Sequence, residues 1–296
     1  MSIKFISMAE LINAAVAADS SISEITLRQT AADRNVSEEK ILELMHLNLK
    51  VMKESVGKGL EKGLKSFSGL SGGQAEKMES YAGRSLSGSF VSGVLWRALS
   101  VAEVNACMGR IVAAPTAGSC GILPACLLTL QEHLGLKDDE IVKGLLNASA
   151  VGLIIAKNAS ISGAVGGCQA ECGSAAAMAA SAMVELRGGT PAQCGHAAAL
   201  VLKSLMGLVC DPVAGLVEEP CVIRNASSAA LAVLSSDMAM AGIESVIPVD
   251  EVITAMGSVG RILPPSLRET ARGGLAATPT GRKIQSEVLH GNLEDS

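Results

Sequence analysis

Aromatic side chains are nearly missing from this 296-residue chain: one tryptophan, one tyrosine and three phenylalanines, 2% of the total. Strands favour aromatic and β-branched residues, so this scarcity disfavours a β-sandwich. No Cys-x-x-Cys occurs among the eight cysteines, which weighs against zinc ribbons, thioredoxin-like redox sites and two-cluster ferredoxins. Nor is there a basic excess. A net charge of −5 argues against a nucleic-acid footprint, which needs a basic face. No Gly-Lys-Ser/Thr follows the glycine spacing of a Walker loop, and the start of the chain has no apolar core with a cleavage site. The expected compartment is the cytoplasm, where eight cysteines do not form a disulfide framework. Zinc or iron–sulfur ligation, reactive thiols and plain core packing stay open for them.

What is abundant is small and apolar. Hydrophobic residues make up 49% beside 31 glycines, a composition that allows helices to approach closely around a compact interior. A mean hydropathy of +0.39 raises the membrane question, and Ile111 to Gln131 is a 21-residue run without a charge. That run contains Pro115, Gly118, Gly121 and Pro124 and has no aromatic belt, so a buried core segment is expected and no membrane association. The expected fold is mainly α, with an N-terminal helical segment over 1–65 and a helical catalytic domain over 66–296.

The order of elements follows from caps and breakers. Ser7-Met-Ala-Glu10 forms a capping box ahead of Leu11, Ile12, Ala15 and Val16, and Ser37-Glu-Glu precedes Ile41, Leu44, Met45 and Leu49, two helices with one apolar face each. From Lys58 to Gly93 glycine and serine are frequent, which predicts a linker or a substrate-facing loop pinned by Phe67, Leu70, Met78 and Tyr81. Further helices are expected over Ile122–Gln131, Asp138–Ile155, Ser174–Leu186, Pro191–Leu205 behind a Thr190 cap, Cys221–Ala241 and Asp250–Ile262.

Three cysteines stand beside helix-breaking residues: Cys168 in Gly-Gly-Cys-Gln-Ala-Glu-Cys-Gly, Cys210 in Val-Cys-Asp-Pro and Cys221 in Glu-Glu-Pro-Cys-Val-Ile-Arg-Asn. Glycine and proline at these places predict thiols presented rather than packed away. Spacings of 42 and 11 residues put them on separate elements that must converge, and three convergent thiolates suit an iron–sulfur cluster with one iron left open. Cys172 would share a helix face with Cys168 and is read as its neighbour, not as a ligand. Ala113-Ala-Pro-Thr-Ala-Gly-Ser-Cys-Gly121 is a small-residue turn ahead of a helix, able to offer backbone N–H groups and hydroxyls to an anion such as a carboxylate.

With Lys-Asn-Ala-Ser-Ile-Ser-Gly-Ala at 157–164 and Arg-Gly-Gly-Leu-Ala-Ala-Thr-Pro-Thr-Gly at 272–281, these stretches resemble the catalytic chain of bacterial iron–sulfur L-serine dehydratases over roughly 65–285. The resemblance implies a [4Fe–4S] cluster held by Cys168, Cys210 and Cys221. It implies L-serine as substrate, bound by Ser71, Thr116, Gly118, Ser119 and Asn158, and a second, smaller beta chain as partner. One-chain members carry a further cysteine near the C-terminus, whereas no cysteine follows Cys221 here, so one iron is expected to lack a protein ligand.

Removing water from serine requires loss of an unactivated Cα proton and departure of a poor leaving group, which a Lewis acid addresses. Lys157, its pKa lowered by burial, is the candidate base. His133 reads as exposed and His196 as a satisfied core histidine, while Glu171, Asp211 and Arg224 read as groups that support the cysteines. Three other readings compete. Pyridoxal-phosphate β-elimination would need strand–helix alternation, which is missing; an iron–sulfur L-cysteine desulfidase would differ only in the leaving group; a non-catalytic cluster-binding module would not need the Ser/Thr/Gly turns.

Overall fold

The structure is a computed structural model and describes residues 5–290. Three serines start the first three helices. Ser7 Oγ accepts the Glu10 N–H for α1 (Met8–Ala17), Ser21 Oγ the Glu24 N–H for α2 (Ile22–Arg34), and Ser37 Oγ the Lys40 N–H for α3 (Glu38–Lys58). Each satisfies a backbone donor that the first turn leaves free. The apolar face of α3 is largely covered by the chain itself: Ile41 and Leu49 are buried, while Leu44 stays exposed. Met8 and Leu11 of α1 and Leu49 and Met52 of α3 belong to the same buried cluster as the later helices.

The glycine- and serine-rich stretch is more ordered than its composition suggests. After a loop over 59–73 come α4 (Gln74–Tyr81) and the 19-residue α5 (Gly88–Ala106). Val94, Ala98, Val101 and Ala102 supply α5 with a fully buried face, so tertiary burial overrides the weak helix propensity of its glycines and serines. The charge-free run resolves into a turn and α6 (Ile122–Leu134), whose residues from Ile122 to Leu130 are all buried. Among the described residues no helix is long and apolar enough to cross a membrane.

The rest of the fold is α7 (Asp138–Asn158), the single turn α8 (Gly163–Gly166), α9 (Ser174–Leu186), α10 (Pro191–Leu205), α11 (Cys221–Met240), α12 (Val249–Ile262) and α13 (Pro279–His290). The fold is mainly α. α9 is its axle, packed on α6, α7, α10 and α11 and buried at every residue from Ser174 to Val184. Alanines at 175, 176, 177, 179, 180 and 182 let its neighbours close in. A π-helical turn, Gln169–Gly173, joins Cys168 to α9. The isolated parallel bridge between Cys210 and Arg268 lays the segment after α12 along the one that carries Cys210.

Candidate active site

Cys168 sits at the start of the π-turn, Cys210 in the extended segment after α10, and Cys221 is the first residue of α11. The fold gathers all three. Burial, and after it the negative charges of Cys168 and Glu171, push the Cys221 thiol up to about 12. Cys210 is raised by burial and then by Cys168, Glu171 and Cys221. Cys168 moves the other way: its Sγ lies 3.4 Å from Cys172 Sγ, and the hydrogen bond between the two sulfurs, helped by the Arg224 charge, lowers it. Three thiolates that repel one another in one buried place need a compensating cation. This donor set fits an iron–sulfur cluster, whose irons bring that charge.

The expected presentation of the thiols is corrected by the structure. Cys168 and Cys210 are each only 3% exposed, and Cys221 is half-buried. Gly167, beside Cys168, lets the Leu208–Val209 segment and Leu263 close in, since a Cβ there would lie 2.9 Å from Leu208 O and 2.7 Å from Leu263 Cδ1. At Gly163 an added Cβ would lie 2.7 Å from Glu171 Oε2, 3.1 Å from Glu269 Oε2 and 3.2 Å from Cys210 Sγ. The missing side chain therefore leaves room for two carboxylates beside the thiol, and ligand atoms of Glu171, Cys210 and Glu269 all lie within 4.8 Å of one another.

Glu171 links this group to the 113–121 turn. Thr116 Oγ1 donates to Glu171 Oε1 at 2.8 Å and lies 3.1 Å from Ser119 Oγ. Burial, and next the nearby Glu269, raise the Glu171 carboxyl, while the Thr116 hydrogen bond opposes the rise. Gly118 faces the same carboxylate: a Cβ there would be 3.1 Å from Oε1. The turn is fastened from behind by Asn225, whose Nδ2 donates to Gly118 O and Cys221 O and whose Oδ1 accepts the Gly121 N–H.

A second fastening runs through Asp211. Its Oδ2 accepts the Leu275 N–H at 2.7 Å and its Oδ1 pairs with Arg224 Nη1 at 2.8 Å. Arg224 Nη1 also donates to Val209 O. Gly274, at φ +57, leaves no room for a side chain, since a Cβ would be 2.2 Å from Asp211 Oδ2. In this way the Arg272-Gly-Gly loop is drawn onto the Cys210 segment.

Ser71 lies in a loop anchored on two buried carboxylates. Ser66 Oγ and Ser68 Oγ donate to Glu218 at 2.5 and 2.8 Å, three residues before Cys221. Glu103 accepts the N–H groups of Gly72, Gln74 and Ala75 at the start of α4. Ser71 itself donates its N–H to Ser66 Oγ. The structure thus brings Thr116, Gly118 and Ser119 to Glu171 beside the cysteines, and ties the Ser71 loop to the Cys221 segment. Lys157 and Asn158 go elsewhere: Lys157 Nζ donates to Phe5 O, and Asn158 Nδ2 to Ile6 O and Ile154 O. His196 Nδ1 accepts the Ser245 N–H, the satisfied histidine expected from its alanine surroundings. Sequence reasoning missed Glu269, Glu218, Glu103 and Asn225. Only Glu218 and Asn225 had a signal, their closeness to Cys221.

Comparison with known proteins places this sequence among relatives. Residues 17–276 match the family model described as serine dehydratase alpha chain, a match that starts well before the residue 65 expected from motifs alone. The chain is 48% identical over 274 residues to a probable L-serine dehydratase alpha chain of Bacillus subtilis, covering 92% of this chain and 91% of that one. It is 43% identical to the L-serine dehydratase alpha chain of Peptoniphilus asaccharolyticus over 90% of this chain and 92% of that one. L-serine dehydratase 2 of Escherichia coli is 45% identical over 181 residues, 60% of this chain but 40% of that longer protein.

Proposed function

The chain belongs to the serine dehydratase alpha-chain family, and we propose that it is the catalytic chain of an enzyme converting L-serine to pyruvate and ammonia with a [4Fe–4S] cluster. The observation that carries this reading is the meeting of Cys168, Cys210 and Cys221 with the Thr116–Ser119 turn through Glu171. The three cysteines would hold the cluster. When bound, it supplies a Lewis-acidic iron that eases departure of the substrate hydroxyl. The backbone N–H groups of the turn bind the substrate carboxylate, while the Thr116 proton goes to Glu171 and Ser119 Oγ lies against Thr116 Oγ1. Glu171 and Glu269 set a negative field that favours an ammonium group and disfavours a second carboxylate on the substrate. Loss of the Cα proton and of hydroxide gives aminoacrylate, which tautomerises to an imine; the water released is taken up again when the imine hydrolyses to pyruvate and ammonia.

A second, smaller chain is part of the proposal, supported by the alpha-chain naming of the relatives. Eight free thiols suit a reducing compartment such as the cytoplasm. The test is anaerobic reconstitution with iron and sulfide, with and without the second chain, followed by assay of pyruvate from L-serine and of sulfide from L-cysteine. Pyruvate from L-serine that depends on iron and on the second chain is the expected result. Sulfide release at a higher kcat/KM would favour desulfidation, cluster binding without turnover of either substrate would leave a binding module, and full turnover by the chain alone would remove the partner.

A further inference from the structure

Asn225 is 1% exposed in the second turn of α11, and it uses both ends of its amide between two parts of the site. Nδ2 donates to Gly118 O at 2.8 Å and to Cys221 O at 2.9 Å, while Oδ1 accepts the Gly121 N–H at 2.9 Å. From the other side the turn is pressed against α5: a Cβ on Gly121 would lie 2.4 Å from Ala98 O. The turn cannot slide towards α5, and Asn225 stops it moving away. The preceding residue, Arg224, reaches the Cys210 segment through Asp211 and Val209. Successive side chains of one helix thus hold one part of the site each.

We propose that Asn225 is a positioning residue that sets the Thr116–Ser119 turn against the Cys221 segment, and so fixes the span between the substrate carboxylate and the leaving hydroxyl. The inference rests on the proposed reading of the turn and the cysteines. Only a planar amide supplies two donors and an acceptor at this reach. Aspartate has the shape but no donor, so Gly118 O and Cys221 O would face a carboxylate; serine has a single donor and is shorter. The geometry of a reacting pair is sensitive on this scale, since a misplacement of about 1 Å costs roughly a hundredfold in rate.

The test uses the cluster-loaded enzyme with its partner chain and the variants Asn225→Asp and Asn225→Ser. Deuterium uptake of peptides covering 114–125 is expected to rise in both, because the Gly121 N–H loses its partner or its setting. Iron per chain stays at the parent value and kcat/KM for L-serine falls at least about tenfold, as a small misplacement requires. In a Thr116→Val background the further loss on replacing Asn225 is expected to be under about threefold, the non-additivity of residues acting as a unit. Unchanged uptake with kcat/KM within twofold would overturn the proposal. Activity lost only in step with iron, or fully additive losses, would also overturn it, because either is what a merely structural role gives. Uptake is read without turnover, so failure of L-serine conversion in the parent protein would sink the proposed function while exchange still decides the role of Asn225.

Discussion

Thr116 Oγ1 donates to Glu171 Oε1 at 2.8 Å, joining two residues 55 positions apart in sequence. It places a hydroxyl of the 113–121 turn on a carboxylate that also borders Cys210 and Glu269. Thr116→Val keeps the shape and removes the hydroxyl. A hydrogen bond to a charged group is worth about 1.5–3 kcal/mol, so kcat/KM for L-serine should drop by roughly ten- to a hundredfold. Iron content should not change. A variant within twofold of the parent would remove Thr116 from the site.

Serine replacement of single cysteines divides them into two groups. Cys168→Ser, Cys210→Ser and Cys221→Ser should each fail to hold a full cluster after anaerobic reconstitution, as read by iron and sulfide per chain. Cys107→Ser and Cys172→Ala should reach the parent iron content. Cys172 is the sharper case, since its sulfur lies 3.4 Å from that of Cys168. Loss of iron in Cys172→Ala would make it a ligand and overturn the three-cysteine assignment.

Glu103 is fully buried and holds the first N–H groups of α4 with the loop that carries Ser71. Glu103→Ala would leave the buried Ala75 N–H and the half-buried Gly72 and Gln74 N–H groups without this partner. Destabilisation of about 3 kcal/mol is expected from urea unfolding, given about 1–3 kcal/mol for each unsatisfied group and partial relaxation. A change below about 0.5 kcal/mol, the range of ordinary surface substitutions, would show that the loop finds other acceptors.

Two glycines with left-handed backbone should respond differently to alanine. Gly274→Ala puts a Cβ 2.2 Å from Asp211 Oδ2, so the Leu275 hydrogen bond must break and turnover should be lost. Gly188, at φ +78, has nothing within 4 Å of such a Cβ. There the cost is backbone strain alone, about 1 kcal/mol of stability, with kcat/KM unchanged. Equal activity of the two variants would contradict the role given to the Arg272-Gly-Gly loop.

Helices were legible where local signals and burial agree. α9 spans Ser174–Leu186 and α10 follows the Thr190 cap, as capping and glycine stops predict. α5 was hidden because Gly88, Ser89, Ser92 and Gly93 read as loop, and only a neighbour's apolar face makes a helix of them. The π-turn after Cys168 leaves no mark in sequence periodicity. Within the site, the cysteines and the Thr116 turn were marked by breakers beside reactive side chains. Glu171 looked like a flanking charge because its partners, Thr116, Gly163 and Glu269, come from three other segments. Glu269 was invisible for a further reason: it depends on a φ of +62, a backbone state that a glutamate does not advertise.

The alanine-lined axle has a consequence for how the chain tolerates change. Cys168 precedes and Cys172 lies within the π-turn that runs straight into α9, and α9 has no exposed residue between Ser174 and Val184 to give a larger side chain a way out. Enlarging any of these alanines must push a whole helix, a strain of about 1–3 kcal/mol, and the near end of that helix carries the sulfurs. The axle therefore acts as a lever. Substitutions two or three turns from the reacting atoms will register at the cysteines before they register in the melting of the fold, so the centre of the core, not only the site, sets how far this sequence can drift.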